Sequence, residues 1–125
     1  MSPAQIGQFG EFIAVDYLLQ HGFQLLDRNW KSRYHYELDI VARKDMQLHV
    51  VEVKTRQAPV DEDPMKAITY SKLQKLRHGA LLYKRAKALD LDIFIDGISI
   101  VLRTPTDYDL HFIPNLHLRL MHKGG

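Results

Sequence analysis

The first 22 residues carry the hydrophobic pattern of an amphipathic helix. Ser2-Pro3 has the character of an N-cap followed by proline at the first helical position, and Gly22 is typical of the residue just after a helix. Between these ends, apolar side chains recur at steps of three and four, at Ile6, Phe9, Ile13 and Tyr17. The pattern therefore predicts a helix that packs this side against the core.

The next segments are rich in Val, Ile, Leu and Tyr with partial alternation, which is typical of β-strands. Strands are predicted at 23–30, 34–44 and 47–56, followed by the polar loop QAPVDEDP with its two prolines. Because only two residues, Asp45 and Met46, separate the second strand from the third, we expect these two strands to form an antiparallel hairpin.

The second half of the chain predicts one more helix and two more strands. Ser71 and Gln74 match a capping box that opens a helix at about 71–89. A strand follows at 92–103, with a hairpin turn or a kink at its Asp-Gly pair, and 110–114 is a short edge strand. The order αβββαββ predicts an α/β fold: a mixed β-sheet flanked by helices, one on each face.

Charged residues interrupt the two hairpin strands at Asp39, Glu52 and Lys54. Strands accommodate acidic residues poorly, and an unpaired charge is costly to bury. With a two-residue loop, Asp39 lies opposite Glu52 and Glu37 opposite Lys54, with the side chains of each pair on one face. The bland alternative is a solvated ladder of cross-strand charges, and the pattern alone leaves both interpretations open.

Opposed carboxylates favour a divalent cation, because each raises the cost of ionising the other. Mg²⁺ binds one or two protein carboxylates and completes its shell with water and phosphate oxygens. Lys54, two residues after Glu52, would place a positive charge beside such an ion, where it could orient a water or stabilise a transition state. This combination suits metal-assisted hydrolysis of a phosphodiester.

A third carboxylate, Glu11, lies in the predicted first helix among small and apolar neighbours. Gly7 and Gly10 weaken that helix, by about 1 kcal/mol each relative to Ala, which suggests a close approach by another group. Glu11 is thus either a further metal ligand or the partner of a basic side chain such as Arg28 or Arg33.

Composition adds limits and one charge asymmetry. The 125 residues suffice for a single domain over 1–125, with a core at about 5–103 and an edge strand and loose tail at 104–125. The absence of cysteine excludes disulfides and thiolate sites and fits a cytoplasmic protein, and we expect neither a leader nor a membrane span. Between Asp63 and Asp90 the charged residues are all basic, which suggests a polyanionic partner unless the helix simply presents a solvated face.

Five motifs together resemble the YraN-like family of predicted endonucleases, in the PD-(D/E)xK or restriction-endonuclease-like superfamily, and are similar to archaeal Holliday-junction resolvases. They are GxxGExxA at 7–14, RNW at 28–30, ELDIVA at 37–42, VVEVKTR at 50–56 and SK at 71–72. The resemblance covers about 5–103 and implies a restriction-endonuclease-like αβββαβ core. Leu38 stands where the superfamily's nominal motif has proline.

The resemblance implies an Mg²⁺ or Mn²⁺ site and a role for each site residue. Asp39 and Glu52 would be metal ligands, Glu11 a further ligand directly or through water, and Lys54 the catalytic lysine. We expect a nucleic-acid substrate, with DNA favoured, contacted by basic residues at Arg33, Arg56, Lys72 and Lys75.

Several alternatives stay open from the sequence. A nucleic-acid-binding or scaffold protein could keep this fold without cleaving, and a homodimer is compatible with the chain. Seven histidines could in principle supply a separate metal site, with His111, His117 and His122 as the candidates, although their spacing does not favour one. His35 and His49 are expected at a strand edge or surface.

Overall fold

The computed structural model describes residues 1–116, and their backbone confirms the predicted element order. The elements are α1 (Pro3–Gln20), β1 (Gln24–Lys31), β2 (Glu37–Lys44), β3 (Gln47–Gln57), a 3₁₀ helix (Pro64–Ala67), α2 (Tyr70–Ala86), β4 (Asp92–Thr104) and β5 (Asp107–Ile113). The tail at 117–125, predicted to be loose, lies outside the described residues, as do His117 and His122.

The five strands form one mixed sheet in the order β1-β2-β3-β4-β5. Neighbouring strands run antiparallel except β3 and β4, which run parallel and are connected through the 3₁₀ helix and α2. A parallel pair needs such a crossover, whereas β2 and β3 are joined by the predicted two-residue turn. The predicted α/β class, a mixed sheet flanked by helices, is thereby confirmed, and it is compatible with a restriction-endonuclease-like core.

Helices α1 and α2 lie on opposite faces of the sheet, and each face has its own apolar core. On the α1 face, Ile13, Ala14 and Leu18 pack against strand residues that include Val51 and Ile98. The residues of the α2 face include Leu38, Val41, Leu48, Val50, Leu73, Leu76, Ala80 and Tyr83. The central strands β2, β3 and β4 are therefore largely buried on both sides, as their nearly continuous apolar runs require, whereas β1 and β5 stay partly exposed.

Both helices begin with a side-chain cap. Ser2 accepts a hydrogen bond from the backbone N–H of Gln5, whose side chain bonds back to Ser2, so that α1 opens with a capping box. The cap of α2 is Thr69, which accepts from the N–H of Lys72 at 3.1 Å. The prediction that Ser71 caps this helix was wrong by two residues, because Thr69 has the extended backbone that an N-cap adopts.

The pair Asp96–Gly97 makes neither a turn nor an end of pairing. Strand β4 continues through it, and Gly97 pairs with Glu52 on one side and with Ile113 on the other. An added Cβ at Gly97 would lie 2.8 Å from the Met65 sulfur, so the glycine admits the 3₁₀ helix against the sheet.

No helix in residues 1–116 has the length and apolar character needed to cross a membrane.

Candidate active site

The candidate site lies where β2 and β3 stop pairing. The hairpin has the predicted register, from Lys44↔Gln47 to Ile40↔Val51, and Asp39 is the next residue of β2. There the Asp39 carboxylate replaces a backbone acceptor, since its Oδ2 accepts the Val53 N–H at 2.9 Å. This bond fixes Asp39 against β3 at the end of the hairpin where the pairing stops.

Strand β2 also departs from strict alternation at Asp39. Leu38 and Val41 both belong to the core of the α2 face, whereas Ile40 belongs to that of the α1 face. Residues three apart share a face only where the strand is irregular. The prediction that Glu37 lies opposite Lys54 falls in this irregular part, and the Glu37 carboxylate instead pairs with Lys31, at 3.4 Å.

Glu52 is a buried carboxylate beside Asp39. Only 5% of the Glu52 residue is exposed, and most of the other buried residues of β3 are apolar. Burial, first, and then the hydrogen-bonding and electrostatic effects of Asp39 raise the pKa of Glu52 to about 8. Two carboxylates side by side offer acceptors to one another without a donor, so a proton or a cation must lie between them.

Two lysines partly offset this accumulation of negative charge. Lys72 on α2 places its Nζ 3.7 Å from Glu52 Oε2, an ion pair that is longer than a hydrogen bond. Lys54, two residues along β3 and on the same face by alternation, also lowers the pKa of Glu52 electrostatically. The two lysines together lower the pKa of Glu52 by less than burial and Asp39 raise it. Glu52 Oε2 also remains buried without a hydrogen-bond partner.

Helix α1 brings the third carboxylate, Glu11, to this end of the sheet. Gly10 is buried against Thr55 of β3, and an added Cβ there would lie 1.7 Å from Thr55 Oγ1. The close approach predicted for Gly10 is therefore confirmed, but the one predicted for Gly7 was wrong, because nothing lies within 4 Å of a Cβ at that position.

The Glu11 carboxylate faces competing influences. Its pKa is raised mainly by burial and by the charge of Asp39, while the side chains of Asn29 and Arg28 act in the opposite direction. Glu11 Oε1 is buried without a hydrogen-bond partner. Within residues 1–116 no basic side chain forms an ion pair with Glu11, so the simple pairing with Arg28 or Arg33 is not what the fold provides.

These carboxylates have the donor chemistry of an Mg²⁺ or Mn²⁺ site. Hard divalent cations take oxygen ligands, and two protein carboxylates suffice when water and phosphate complete the shell. Two of the three acidic side chains carry a buried oxygen that lacks a donor, at Glu11 and Glu52. Within residues 1–116, no group of three acidic or histidine side chains converges into a ready metal cage. The Asp39–Glu52 pair is thus the element that fits a cation best.

The predicted nucleic-acid-binding residues divide into two places. Lys72 and Lys75 line a cavity of about 200 Å³ between α2 and the turn that precedes β2. Arg33 belongs to that turn, with its Cζ 6.0 Å from the Tyr34 ring centre. Arg56 is exposed further along β3, and one guanidinium N–H donates to the Thr55 carbonyl at 2.9 Å.

The histidines do not form a second site in the described residues. His49 is buried on the α1 face, with its Nδ1 2.5 Å from Asp96 Oδ2, and the expected surface position was wrong. His35 lies in the turn before β2 rather than in a strand, with a backbone φ of 67°. His111 is exposed on the edge strand β5.

Two features of the site went unrecognised in the sequence. The first is the hydrogen bond from the Val53 N–H to Asp39, which forms where the pairing of β2 and β3 ends. No residue type in the sequence marks the position of that end. Asn29 beside Glu11 left a weak signal, since it occupies the centre of the RNW motif and has a backbone φ of 50°, a conformation that asparagine tolerates.

Comparison with known proteins gives one consistent family. Residues 10–102 match the model of the uncharacterised protein family UPF0102, a span that contains Glu11, Asp39, Glu52 and Lys54. Three curated relatives are each called a UPF0102 protein. That of Bacteroides thetaiotaomicron is 36% identical over 78% of this chain and 79% of its own. That of Sulfurovum sp. is 37% identical over 78% and 85%, and that of Clostridium botulinum strain Hall is 36% identical over 88% and 91%.

The match covers most of the chain: it begins within α1, spans β1, β2, β3 and α2, and ends within β4. It confirms the family relationship that the motifs predicted, whereas membership of a nuclease superfamily stays a prediction. The chain therefore belongs to the UPF0102 family.

Proposed function

We propose that this protein is a divalent-metal-dependent endonuclease that hydrolyses phosphodiester bonds in nucleic acid, with DNA as the favoured substrate. Asp39 and Glu52 would hold an Mg²⁺ or Mn²⁺ ion, and Glu11 would join them directly or through water. When bound, the ion would supply Lewis-acid polarisation of the phosphate and offset its negative charge.

The observation that carries the proposal is the unbalanced carboxylate pair. Glu52 is buried beside Asp39, and its Oε2 has no hydrogen-bond donor even though Lys72 lies 3.7 Å away. A pair of this kind costs stability in the metal-free protein, because burial and mutual repulsion both disfavour the charged form. Apolar residues would stabilise a purely structural strand pair better, whereas a cation site needs two neighbouring carboxylates.

Lys54 supplies the positive charge that hydrolysis requires beside the metal ligands. It is half-buried, and it shares a strand face with Glu52. In that position its ammonium can orient the attacking water or stabilise the additional charge on the phosphate in the transition state. Asp39 is held in place by the Val53 N–H, so a ligand that must not move is fixed by the backbone.

The charge of α2 supports nucleic acid as the substrate. Lys72 is at once a neighbour of Glu52 and part of the wall of the adjoining cavity, with Lys75 one turn further along the helix. A phosphate backbone lying along this surface would pass directly beside the carboxylates. Basic side chains that track a phosphate chain are the usual source of sequence-independent affinity.

A second candidate function is nucleic-acid binding without cleavage. The observation that favours it is the lack, in the described part of the chain, of three acidic or histidine side chains already converged on one point. Such a protein would keep the basic surface of α2 and would bind nucleic acid equally well with and without a divalent cation.

The test is cleavage of single-stranded, duplex, flapped and four-way-junction DNA by the purified protein, with Mn²⁺, with Mg²⁺ and with EDTA. Endonuclease activity predicts metal-dependent products that Lys54→Ala abolishes while nucleic-acid binding persists. Binding without products in either metal would establish the non-catalytic function instead. Products that persist in EDTA, or in Lys54→Ala, would place any activity outside this site.

A further inference from the structure

The turn between β1 and β2 presents aromatic rings beside the candidate site. Tyr34, His35 and Tyr36 follow one another in this turn, which immediately precedes the strand that carries Asp39. The Tyr34 residue is 64% exposed, while Tyr36 is half-buried against α2, with its ring centre 5.7 Å from that of His78. The Tyr34 ring, with Arg33 Cζ 6.0 Å from its centre, is therefore the more accessible of the two tyrosine rings to a partner.

The turn is held in one shape by its own hydrogen bonds. Ser32 Oγ accepts from the N–H groups of Tyr34 and Tyr36, both at 3.1 Å. The Ser32 N–H donates to the Tyr36 carbonyl at 2.9 Å, and the His35 N–H donates to the Ser32 carbonyl at 3.1 Å. Because these bonds hold the backbone that carries the rings, the turn itself loses little conformational freedom on binding, which favours its use in recognition.

A cavity connects these rings to basic side chains. His35, Tyr36, Lys72, Lys75 and Glu37 line it together with Leu76, and its volume is about 200 Å³. Sites that enclose a whole drug-sized ligand measure about 300–1,000 Å³, so this one can hold only a small part of a larger molecule. The one acidic lining residue, Glu37, is paired with Lys31 at 3.4 Å, and Lys72 is paired with Glu52 at 3.7 Å. Lys75 therefore adds a positive charge to the cavity that no ion pair engages in the described residues.

Aromatic rings beside basic side chains favour unpaired nucleotides over a duplex. A base in a duplex is stacked between its neighbours, so only its edges can be reached from the grooves. An unpaired base exposes its ring faces, and stacking on aromatic side chains beside a basic track is the general way in which proteins hold single strands. The turn offers such ring faces, and Lys72 and Lys75 offer the basic track.

We infer that this turn and the first turns of α2 form a binding site for unpaired nucleotides. The cavity takes one base against Tyr36 and His35, the Tyr34 ring offers the next stacking surface, and Lys72, Lys75 and Arg33 contact the phosphates. The inference deepens the proposed function and rests on it for the position of the scissile bond. It assigns the substrate class: single strands, or duplexes with an unpaired segment at the cut.

The test compares binding of two fluorescein-labelled probes in EDTA, an oligo(dT) strand of about 12 nucleotides and a duplex of the same length. The wild-type protein should bind the strand more tightly than the duplex. Tyr34→Ala should weaken binding of the strand by about 5- to 150-fold, the range expected when one base loses its stacking partner. Tyr34→Phe should restore the affinity, because it keeps the ring.

Two further variants separate stacking from damage to the fold. His35→Asn removes a ring while keeping a residue that tolerates the φ of 67°, and it should also weaken strand binding. Tyr108→Ala is the matched control, since Tyr108 is an exposed tyrosine on β5 at the far edge of the sheet, and it should change neither affinity. Melting temperatures of all variants should match that of the wild type.

Three outcomes overturn the inference: equal losses on strand and duplex, no loss in Tyr34→Ala, or a wild type that prefers duplex. Cleavage assays with Mn²⁺ on the same variants keep this result separate from the proposed function. Tyr34-dependent strand binding without any cleavage would leave the base site standing and remove the endonuclease. Cleavage that is unchanged in Tyr34→Ala would support the endonuclease and remove the base site.

Discussion

At the scale of single residues, Asp39 performs two tasks with one carboxylate. Its Oδ2 accepts the Val53 N–H, and its charge opposes ionisation of Glu52. The first task needs only an acceptor oxygen, while the second exists only because the group is charged. Substitutions that separate the two can therefore distinguish a structural aspartate from a metal ligand.

Asp39→Asn should stabilise the metal-free protein by about 1–2 kcal/mol. The amide oxygen can still accept from Val53, and its N–H₂ can donate to Glu52, which removes the repulsion. Asp39→Ala is the control and should destabilise, since it leaves the Val53 N–H without that acceptor. Thermal or urea unfolding in EDTA measures both, and an Asn variant less stable than the wild type would show that the Asp39 charge itself supports the fold.

The burial of Glu52 predicts an unusual dependence of stability on pH. Its folded-state pKa is raised from 4.5 to about 8, so between these values the folded protein holds a proton that the unfolded chain releases. The free energy of unfolding should then fall as pH rises through this window, by up to about 1.4 kcal/mol per pH unit from this group. Urea unfolding in EDTA from pH 5 to pH 8 measures the slope. Glu52→Gln should remove this contribution, and an unchanged slope in that variant would refute it.

At the scale of elements, the packing of α1 on β3 positions Glu11. The contact depends on Gly10, whose missing side chain leaves room for Thr55. Ala14 and Leu18 continue the buried side of the helix in the same core as Val51 and Val53 of β3. The helix can lie this close to the sheet only because the residue beside Thr55 has no Cβ.

Two glycines of one helix should therefore respond oppositely to alanine. Gly10→Ala should destabilise the protein by about 2–4 kcal/mol, because the new methyl group overlaps Thr55 and the helix must shift. Gly7→Ala should be neutral or stabilise by up to about 1 kcal/mol, since its Cβ enters open space and alanine favours the helix. Urea unfolding of both variants gives the comparison, and similar effects at the two positions would contradict this packing.

Much of the element structure was predictable because short-range patterns determine it. The alternation of apolar residues and a two-residue loop gave the correct hairpin register, as the pairs from Lys44↔Gln47 to Ile40↔Val51 confirm. The failures have tertiary causes. Gly7 and Gly10 look alike in sequence and differ only in what packs on them, and Thr69 caps α2 because the preceding chain is extended. The bond between Val53 and Asp39 exists because β2 and β3 separate there, which depends on the rest of the sheet.

At the scale of the whole molecule, charge is distributed so that the carboxylates proposed to bind a cation adjoin a basic surface. The carboxylates lie at the open end of the hairpin, and α2 runs past them with Lys72 at contact distance from Glu52. A net charge of only +2 conceals this separation of opposite charges. A polyanion would be drawn to α2 and held within reach of the carboxylates.

The basic surface predicts a measurable dependence of binding on salt. Lys72→Ala and Lys75→Ala should each weaken nucleic-acid binding and reduce the slope of log affinity against log salt by up to about one unit. Arg103→Ala is a matched control, because Arg103 is engaged by Asp107 and Asp109 near the far edge of the sheet. Anisotropy titrations from about 50 to 200 mM salt measure the slopes. Unchanged slopes in both lysine variants would mean that this face of α2 is merely solvated.

The most direct test of the central claim is the proton released when Mn²⁺ binds. A cation held between Asp39 and Glu52 must displace the proton that Glu52 retains at pH 7, since its pKa is raised to about 8. Calorimetric titration of Mn²⁺ in buffers of different ionisation enthalpy measures that release. The proposed site predicts saturable binding with close to one proton released, and loss of both in Asp39→Asn. An absence of Mn²⁺ binding, or binding that releases no proton and survives Asp39→Asn, would contradict it.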